Sequence, residues 1–391
     1  MPKKHILFVM ESLRIGGAEK SLLTILSMFD YDKYEVDLML FRHNGEFMSF
    51  IPKEVNLLSE DRIFQCFDRN RKISPLVYAK QGNLKNAVHS AVYLVEAALA
   101  KIVHKPLYIG WQHQKHFFES QTRHYDAAIA FLERRTIYYV ADLISADKKI
   151  AFIHNDYTVY PYDKEEDMRC FDKFNSIATV SEHCRDVLCE KFPMYSEKFT
   201  VIKNMVSEKL INSLAEEEIP NFYKDDDTLY LSSVGRLTFQ KGFDLAIEIC
   251  ARLVEEGYKV KWYIVGEGEQ RESLERKIAK MKLENNIILA GADVNPYRWM
   301  KMCDVYVQPS RFEGFGITIA EAKALNKKIV ASDIPEFREQ LIDYANAAFA
   351  VGVLDFASKI IEKTEQKIYM HNVKKQIEIE KLYSIIENNI V

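Results

Sequence analysis

Glu313 and Glu321 are the residues with the clearest chemical potential, set in the stretch SRFEGFGITIAEAKAL from Ser310 to Leu325. Strand formers Val305, Tyr306 and Val307 end at Pro309, and a loop carrying Glu313, Gly314, Phe315 and Gly316 follows. Ile319, Ala322 and Leu325 then recur at helical spacing. The two carboxylates therefore bracket a helix N-terminus and do not share one helical face. Backbone N–H groups at Phe315, Gly316 and Ile317, together with the helix dipole, would favour an anion such as a phosphate. Carboxylates only accept hydrogen bonds, so those on either side would bind hydroxyls of a sugar attached to that phosphate. A solvated loop acid and a helix-dipole acid explain the same letters, and on this stretch alone both readings stand.

A second constellation lies in GRLTFQKGFDLAIE, directly after the strand-like run Leu229 to Val234. Gly235 and Gly242 frame a loop with Arg236 and Lys241, and a helix follows. Two such cations beside a helix start suit a diphosphate, Arg as a planar fork and Lys as a point charge. As isolated letters they are equally solvated charges. Asp225, Asp226 and Asp227 precede that strand in a polar connection, so they read as linker acids and not as a metal motif.

The elements that must position these residues are bounded by size and composition. With 391 residues the chain exceeds what one core usually serves, and two domains of roughly 150 to 200 residues each are expected. The divisions fall at 1–206, 207–372 and 373–391, the last a helix that returns to the first domain. A net charge of −4 and a pI near 6.3 argue against nucleic acid as the partner. Six cysteines show neither C-x-x-C nor Cys/His zinc spacing, so no metal is expected and the thiols read as buried. The first apolar run is too short for a secretory signal and no segment is long enough to span a bilayer, so a cytoplasmic protein is expected.

Strand-like segments at His5–Met10, Glu35–Phe41, Val55–Leu58, Asp126–Phe131, Lys149–His154, Ser176–Val180 and Phe199–Lys203 alternate with helical ones, which predicts a doubly wound α/β domain. Gly16 and Gly17 permit a tight turn at the carboxyl end of the first strand, where ligands bind in such sheets. There is no G-x-G-x-x-G, so a dinucleotide is not indicated. The fifth strand ends in His154, Asn155 and Asp156, and Ser181 can cap the helix that begins at Glu182. In the second half, strands at Val260–Val265, Ile287–Ala290 and Lys328–Ser332 repeat the plan, with Gly266 and Gly268 in the turn after the first of these. Ile377, Ile379, Leu382, Ile385 and Ile386 predict a terminal amphipathic helix. Between 68 and 123 basic residues dominate, and Leu84, Val88, Val92, Val95 and Leu99 form one broad helix face. That segment reads either as a core helix with a basic rim or as a contact with an anionic membrane surface.

Glu313 and Glu321 with Gly314, Phe315 and Gly316 between them resemble the E-x7-E signature of the retaining glycosyltransferases of family 4, the group 1 glycosyl transferases, which have the GT-B fold. GRLTFQKG is similar to the G-R-[LF]-x-x-x-K-G motif of the same family, and GGAEKSLL, FIHNDY and ATVSEH resemble its first-domain segments. The resemblance implies two Rossmann-like doubly wound domains facing a central cleft. It implies transfer of a hexosyl group from a nucleoside-diphosphate sugar, UDP before GDP, to a hydroxyl of a growing, lipid-linked or surface glycan. Arg236 and Lys241 are then implied to hold the diphosphate, Glu313 and His154 the sugar, and Glu321 the ribose. Gly16, Gly17, Gly266, Phe315, Gly316 and Ile317 complete the implied donor site, and Asn155, Asp156 and Ser181 the acceptor side. No metal or cofactor is implied, because protein cations replace it. An epimerase, a phosphorolytic enzyme of the same architecture and an inactive partner subunit are the alternatives, and the residues leave the oligomeric state open.

Overall fold

The computed structural model describes residues 2–59, 75–80, 82–102, 111–118, 122–158, 163–220, 222–369 and 378–387. The chain divides into two compact units, Met1–Lys203 together with Ile377–Val391, and Asn204–Gln376. The sequence reading places the first boundary after 206; the observed division falls after Lys203.

Unit 1 is built on a seven-stranded sheet in the order β3-β2-β1-β4-β5-β6-β7. The strands are β1 (Lys4–Met10), β2 (Tyr34–Leu40), β3 (Asn56–Leu57), β4 (His124–Ala130), β5 (Ser145–Ile153), β6 (Ser176–Thr179) and β7 (Phe199–Val201). All pairs are parallel; Ile6 lies opposite Ala127, and Ile150 opposite Ser176. A central parallel strand is covered on both faces, which is why β1 reads as an unbroken apolar run and Ile6 to Met10 are fully buried. Trp111, Tyr138, Phe171 and Phe192 fill the core beside it.

Unit 2 repeats the winding in a six-stranded sheet, β10-β9-β8-β11-β12-β13. These are β8 (Leu229–Val234), β9 (Val260–Val265), β10 (Ile287–Gly291), β11 (Val305–Gln308), β12 (Lys328–Ser332) and β13 (Ala347–Ala350). Successive side chains of β11 serve opposite faces: Val305 and Val307 join the core with Phe243 and Trp262, and Tyr306 joins the one with Ile319 and Phe337. In both sheets the chain starts mid-sheet, winds outward, then crosses to the other side. The crossovers diverge between β1 and β4 and between β8 and β11, which leaves a crevice at the carboxyl ends of those strands.

The helix Glu378–Glu387 packs into unit 1, burying Ile379, Leu382 and Ile386. Its Tyr383 ring stacks on Tyr34 with centroids 5.4 Å apart, and its hydroxyl accepts the Asp30 N–H at 2.8 Å. The rest of the predicted terminal helix lies outside the described residues, as do positions 68–74 and 103–110 of the basic segment. The helix Leu84–Ile102 forms as the period predicts, but its apolar face is not in a core: Val88 is 62% and Val95 59% exposed. Among the described residues no helix is long and apolar enough to cross a membrane. Asp225 is consumed locally, accepting from the Asp227 N–H and the Thr228 and Tyr230 hydroxyls, which fixes the turn into β8. Burial pushes the Cys250 thiol up to about 12, in keeping with an inert structural cysteine.

Candidate functional site

In unit 2 the crevice between β8 and β11 gathers both charged constellations. The loop after β8 carries Arg236 and Lys241; the loop after β11 carries Glu313. Lys241 Nζ lies 2.6 Å from Glu313 Oε1, and the two side chains are only 12% and 5% exposed. The loops touch through Gly242, whose φ of +66° is left-handed and whose missing Cβ would sit 2.0 Å from the Pro309 carbonyl oxygen. Arg311 locks the same loops from outside. Its guanidinium donates to both Asp244 oxygens at 2.8 and 2.7 Å and to the Phe239 carbonyl, and it lies over the Phe239 ring. Those hydrogen bonds hold the Asp244 carboxyl below the usual range.

Glu313 is the end of a buried polar relay. Tyr306 Oη donates to Gln308 Oε1 at 2.7 Å, Gln308 Nε2 to Ser310 Oγ at 2.9 Å, and Ser310 Oγ to Glu313 Oε1 at 2.7 Å. Each of the three hydrogen bonds runs toward the carboxylate, which fixes its orientation. The short helix Ile317–Ala324 begins after Gly316, which has a φ of +78° and provides no side-chain cap. Phe315 and Ile317 are nearly buried beside it, and the amide of Gln340 donates to the Phe315 carbonyl. Glu321, 1% exposed, accepts from Tyr297 Oη at 3.0 Å; burial, then the charge of Glu321, pushes that phenol up, so it remains a donor. Glu321 thus sits on the inner side of its helix, one full turn past the loop. Arg236 differs from its neighbours: it is exposed, and its guanidinium has no ion pair or hydrogen bond among the described residues. Gly266 follows β9, and its N–H donates to the Gly291 carbonyl at 2.8 Å.

In unit 1 the loops after β1, β4 and β5 share one end of the sheet. Gly16 is the N-cap and Gly17 the first residue of the helix that follows β1. His154 follows β5 with its ring against Phe131 and Phe152, and it is 8% exposed. Its backbone N–H donates to Glu133 Oε2 at 3.0 Å, and the Asn155 amide donates to the other Glu133 oxygen. Asp156 Oδ1 accepts from the Thr158 N–H and hydroxyl, and Oδ2 lies 3.5 Å from His183 Nε2. Ser181 is the cap of Glu182–Lys191: its hydroxyl accepts the Cys184 N–H at 3.2 Å and is 1% exposed.

The structure therefore brings Lys241, Glu313 and the helix start at Phe315 to Ile317 into one crevice, with Glu321 behind them. Three residues that sequence reading passed over shape these sites: Gln308 and Ser310, which orient Glu313, and Glu133, which holds the His154–Asn155 turn. The signal for Glu133 was its place, an acid at the carboxyl end of a buried strand; for Gln308 it was a polar letter inside an apolar one.

Residues 215–379 match the family model of the glycosyl transferases group 1. An uncharacterized glycosyltransferase of Methanocaldococcus jannaschii is 28% identical over 166 residues, covering 42% of this chain and 41% of that protein. The N-acetylgalactosamine-N,N'-diacetylbacillosaminyl-diphospho-undecaprenol 4-alpha-N-acetylgalactosaminyltransferase of Campylobacter jejuni is 31% identical over 163 residues, 42% of each chain. The matched segment spans less than half the length of these two relatives. The crystal structure of Anabaena HepE in complex with UDP and glucose superposes with a TM-score of 0.64 and 18% identity, over 93% of this chain and 90% of that one. The architecture is GT-B, with two Rossmann-like units, and the likeness to group 1 glycosyl transferases lies in residues 215–379.

Proposed function

We propose that the chain is a hexosyltransferase that moves a sugar from a nucleoside diphosphate to a hydroxyl of a growing glycan with retention of anomeric configuration. The observation that carries this reading is the crevice of unit 2, where the buried Lys241–Glu313 pair, the exposed Arg236 and an uncapped helix start converge at the switch point of a doubly wound sheet. Cleavage of the sugar–phosphate bond leaves negative charge on the diphosphate. Arg236, Lys241 and the N–H groups at Phe315 to Ile317 answer it as it develops. Lys241 keeps donors to spare beyond the one it gives Glu313. Glu313, oriented by the relay from Tyr306, accepts from sugar hydroxyls, and Glu321 takes the ribose. With the leaving phosphate receiving the acceptor proton, no side chain is needed as base, and the protein cations fill the role a metal would have.

Unit 1 carries the acceptor side in this reading, through Asn155, Asp156 and Ser181, while its Gly16 and Gly17 belong to the donor site. The resemblance assigns His154 a contact with the sugar. A UDP-sugar is the first donor to test, since the Anabaena relative was crystallised with UDP and glucose. A lipid-linked acceptor is the first acceptor class, as in the name of the Campylobacter relative. Such an acceptor is presented at a membrane, and peripheral contact of the cytoplasmic protein through 68–123 belongs to the same reading.

Calorimetry of UDP and GDP binding to the wild type and to Arg236→Ala tests it, followed by turnover with a panel of UDP-sugars and assignment of the product anomer. We expect UDP to bind and Arg236→Ala to weaken it about tenfold or more, the effect of one charge-assisted contact. Binding of neither nucleotide overturns the reading; an inverted product overturns its stereochemistry.

A further inference from the structure

The Leu84–Ile102 helix is mounted with its apolar side outward. Leu84, Val88, Val95 and Leu99 are 70, 62, 59 and 55% exposed, and Leu94 at 44% widens the strip. The inward side is the polar one. Ser90 is fully buried, and His89 stacks on His116 with ring centroids 3.9 Å apart and lies 3.0 Å from His113. His113 in turn lies 3.6 Å from Glu96. A surface helix normally does the reverse. A contiguous apolar strip about 22 Å long, from Leu84 to Leu99, marks an interaction surface.

Charge decides what covers it. Glu96 is the one acid of this helix, and it is turned inward toward His113. The exposed flank carries Lys85, and the preceding short helix ends in exposed Lys80 behind the 71% exposed Leu76. An apolar strip with cations beside it and no acid on it complements an anionic bilayer; a second copy of the chain would bring like charges together.

We propose that this face docks on an anionic lipid bilayer, with Val88, Val95 and Leu99 in the headgroup–acyl boundary and Lys80 and Lys85 at the phosphates. The inference deepens the membrane contact named above and rests on that part of the reading, not on glycosyl transfer. The test is flotation of the full chain with vesicles of phosphatidylcholine alone and mixed with phosphatidylglycerol, at low and high salt, alongside UDP calorimetry. The wild type should float with the anionic vesicles, less so at high salt. Val88→Glu combined with Val95→Glu should cut the bound fraction about tenfold or more, with UDP binding and the thermal midpoint unchanged because both positions are exposed. Val88→Ser with Val95→Ser, a milder pair, covers the case in which the glutamates disturb folding and should also reduce flotation. Absence of wild-type flotation, undiminished flotation of both pairs, or a wild-type dimer in light scattering that the glutamate pair dissociates would each overturn the proposal. Loss of UDP binding alone would instead overturn the nucleotide-sugar reading.

Discussion

Arg236 and Lys241 stand five residues apart on one loop, yet their removal should read out differently. Arg236 is exposed, so Arg236→Ala should leave the thermal midpoint in place while weakening UDP. Lys241 pairs with a nearly buried carboxylate. Lys241→Ala strands Glu313, at a cost of about 3–5 kcal/mol typical of a broken buried pair, so its midpoint should fall along with its nucleotide affinity. Thermal denaturation of the two variants side by side checks this; equal midpoints would mean that the Ser310 hydroxyl and the Gln240 amide, whose Nε2 lies 3.4 Å from Glu313 Oε2, satisfy Glu313 without the lysine. Glu133→Ala leaves the buried His154 N–H without its acceptor and should cost about 1–3 kcal/mol by denaturant titration. Glu313, Glu321, Arg236 and Lys241 were legible because each lies within a few letters of the turn that positions it. Glu133 was not, because its partner is 21 residues away on the next strand, a proximity set by sheet pairing and not by the local chain.

Helix Leu84–Ile102 was legible in extent but not in orientation. Period fixes which residues share a face, and it cannot say which face meets the protein. The inward histidines also give this element a pH dependence. Burial first, then the charges of neighbouring histidines and of Lys85, hold His89 and His116 below the ordinary 6.5; Lys115 adds to the effect on His116. Both rings therefore take up protons less readily in the fold than in the unfolded chain. Stability then rises with pH, and the contribution, present above 6.5, is lost as pH falls below it. The same cluster holds His113 and, 3.6 Å from it, Glu96. Hydrogen exchange over 84–102 and 111–118 should quicken between pH 6.5 and 5 relative to the sheet, and His89→Asn with His116→Asn should flatten the response. The Gly352–Glu365 helix escaped sequence reading altogether. Its buried contributions, Phe356, Ala357 and Ile360, are few, and Lys363 is buried on the same side, which blurs the apolar period.

At the scale of the molecule, two parallel sheets with separate cores were legible from the repeated strand, loop and helix plan, which needs only local patterns and chain length. Each unit buries its own apolar clusters, so thermal unfolding should depart from a single two-state transition. UDP should raise only the transition of unit 2, by about 2.7 kcal/mol at a hundredfold excess over its dissociation constant, which scanning calorimetry of the full chain would resolve. A uniform shift of one transition would show instead that the units unfold together. The helix Glu378–Glu387, stacked through Tyr383 on Tyr34, is made after unit 2 and belongs to the unit begun before it. During synthesis, unit 1 must therefore leave the ribosome unfinished and wait with part of its surface uncovered while all of unit 2 is translated. A premature stop just before that helix would spare unit 2 beside it and harm the one encoded farthest away.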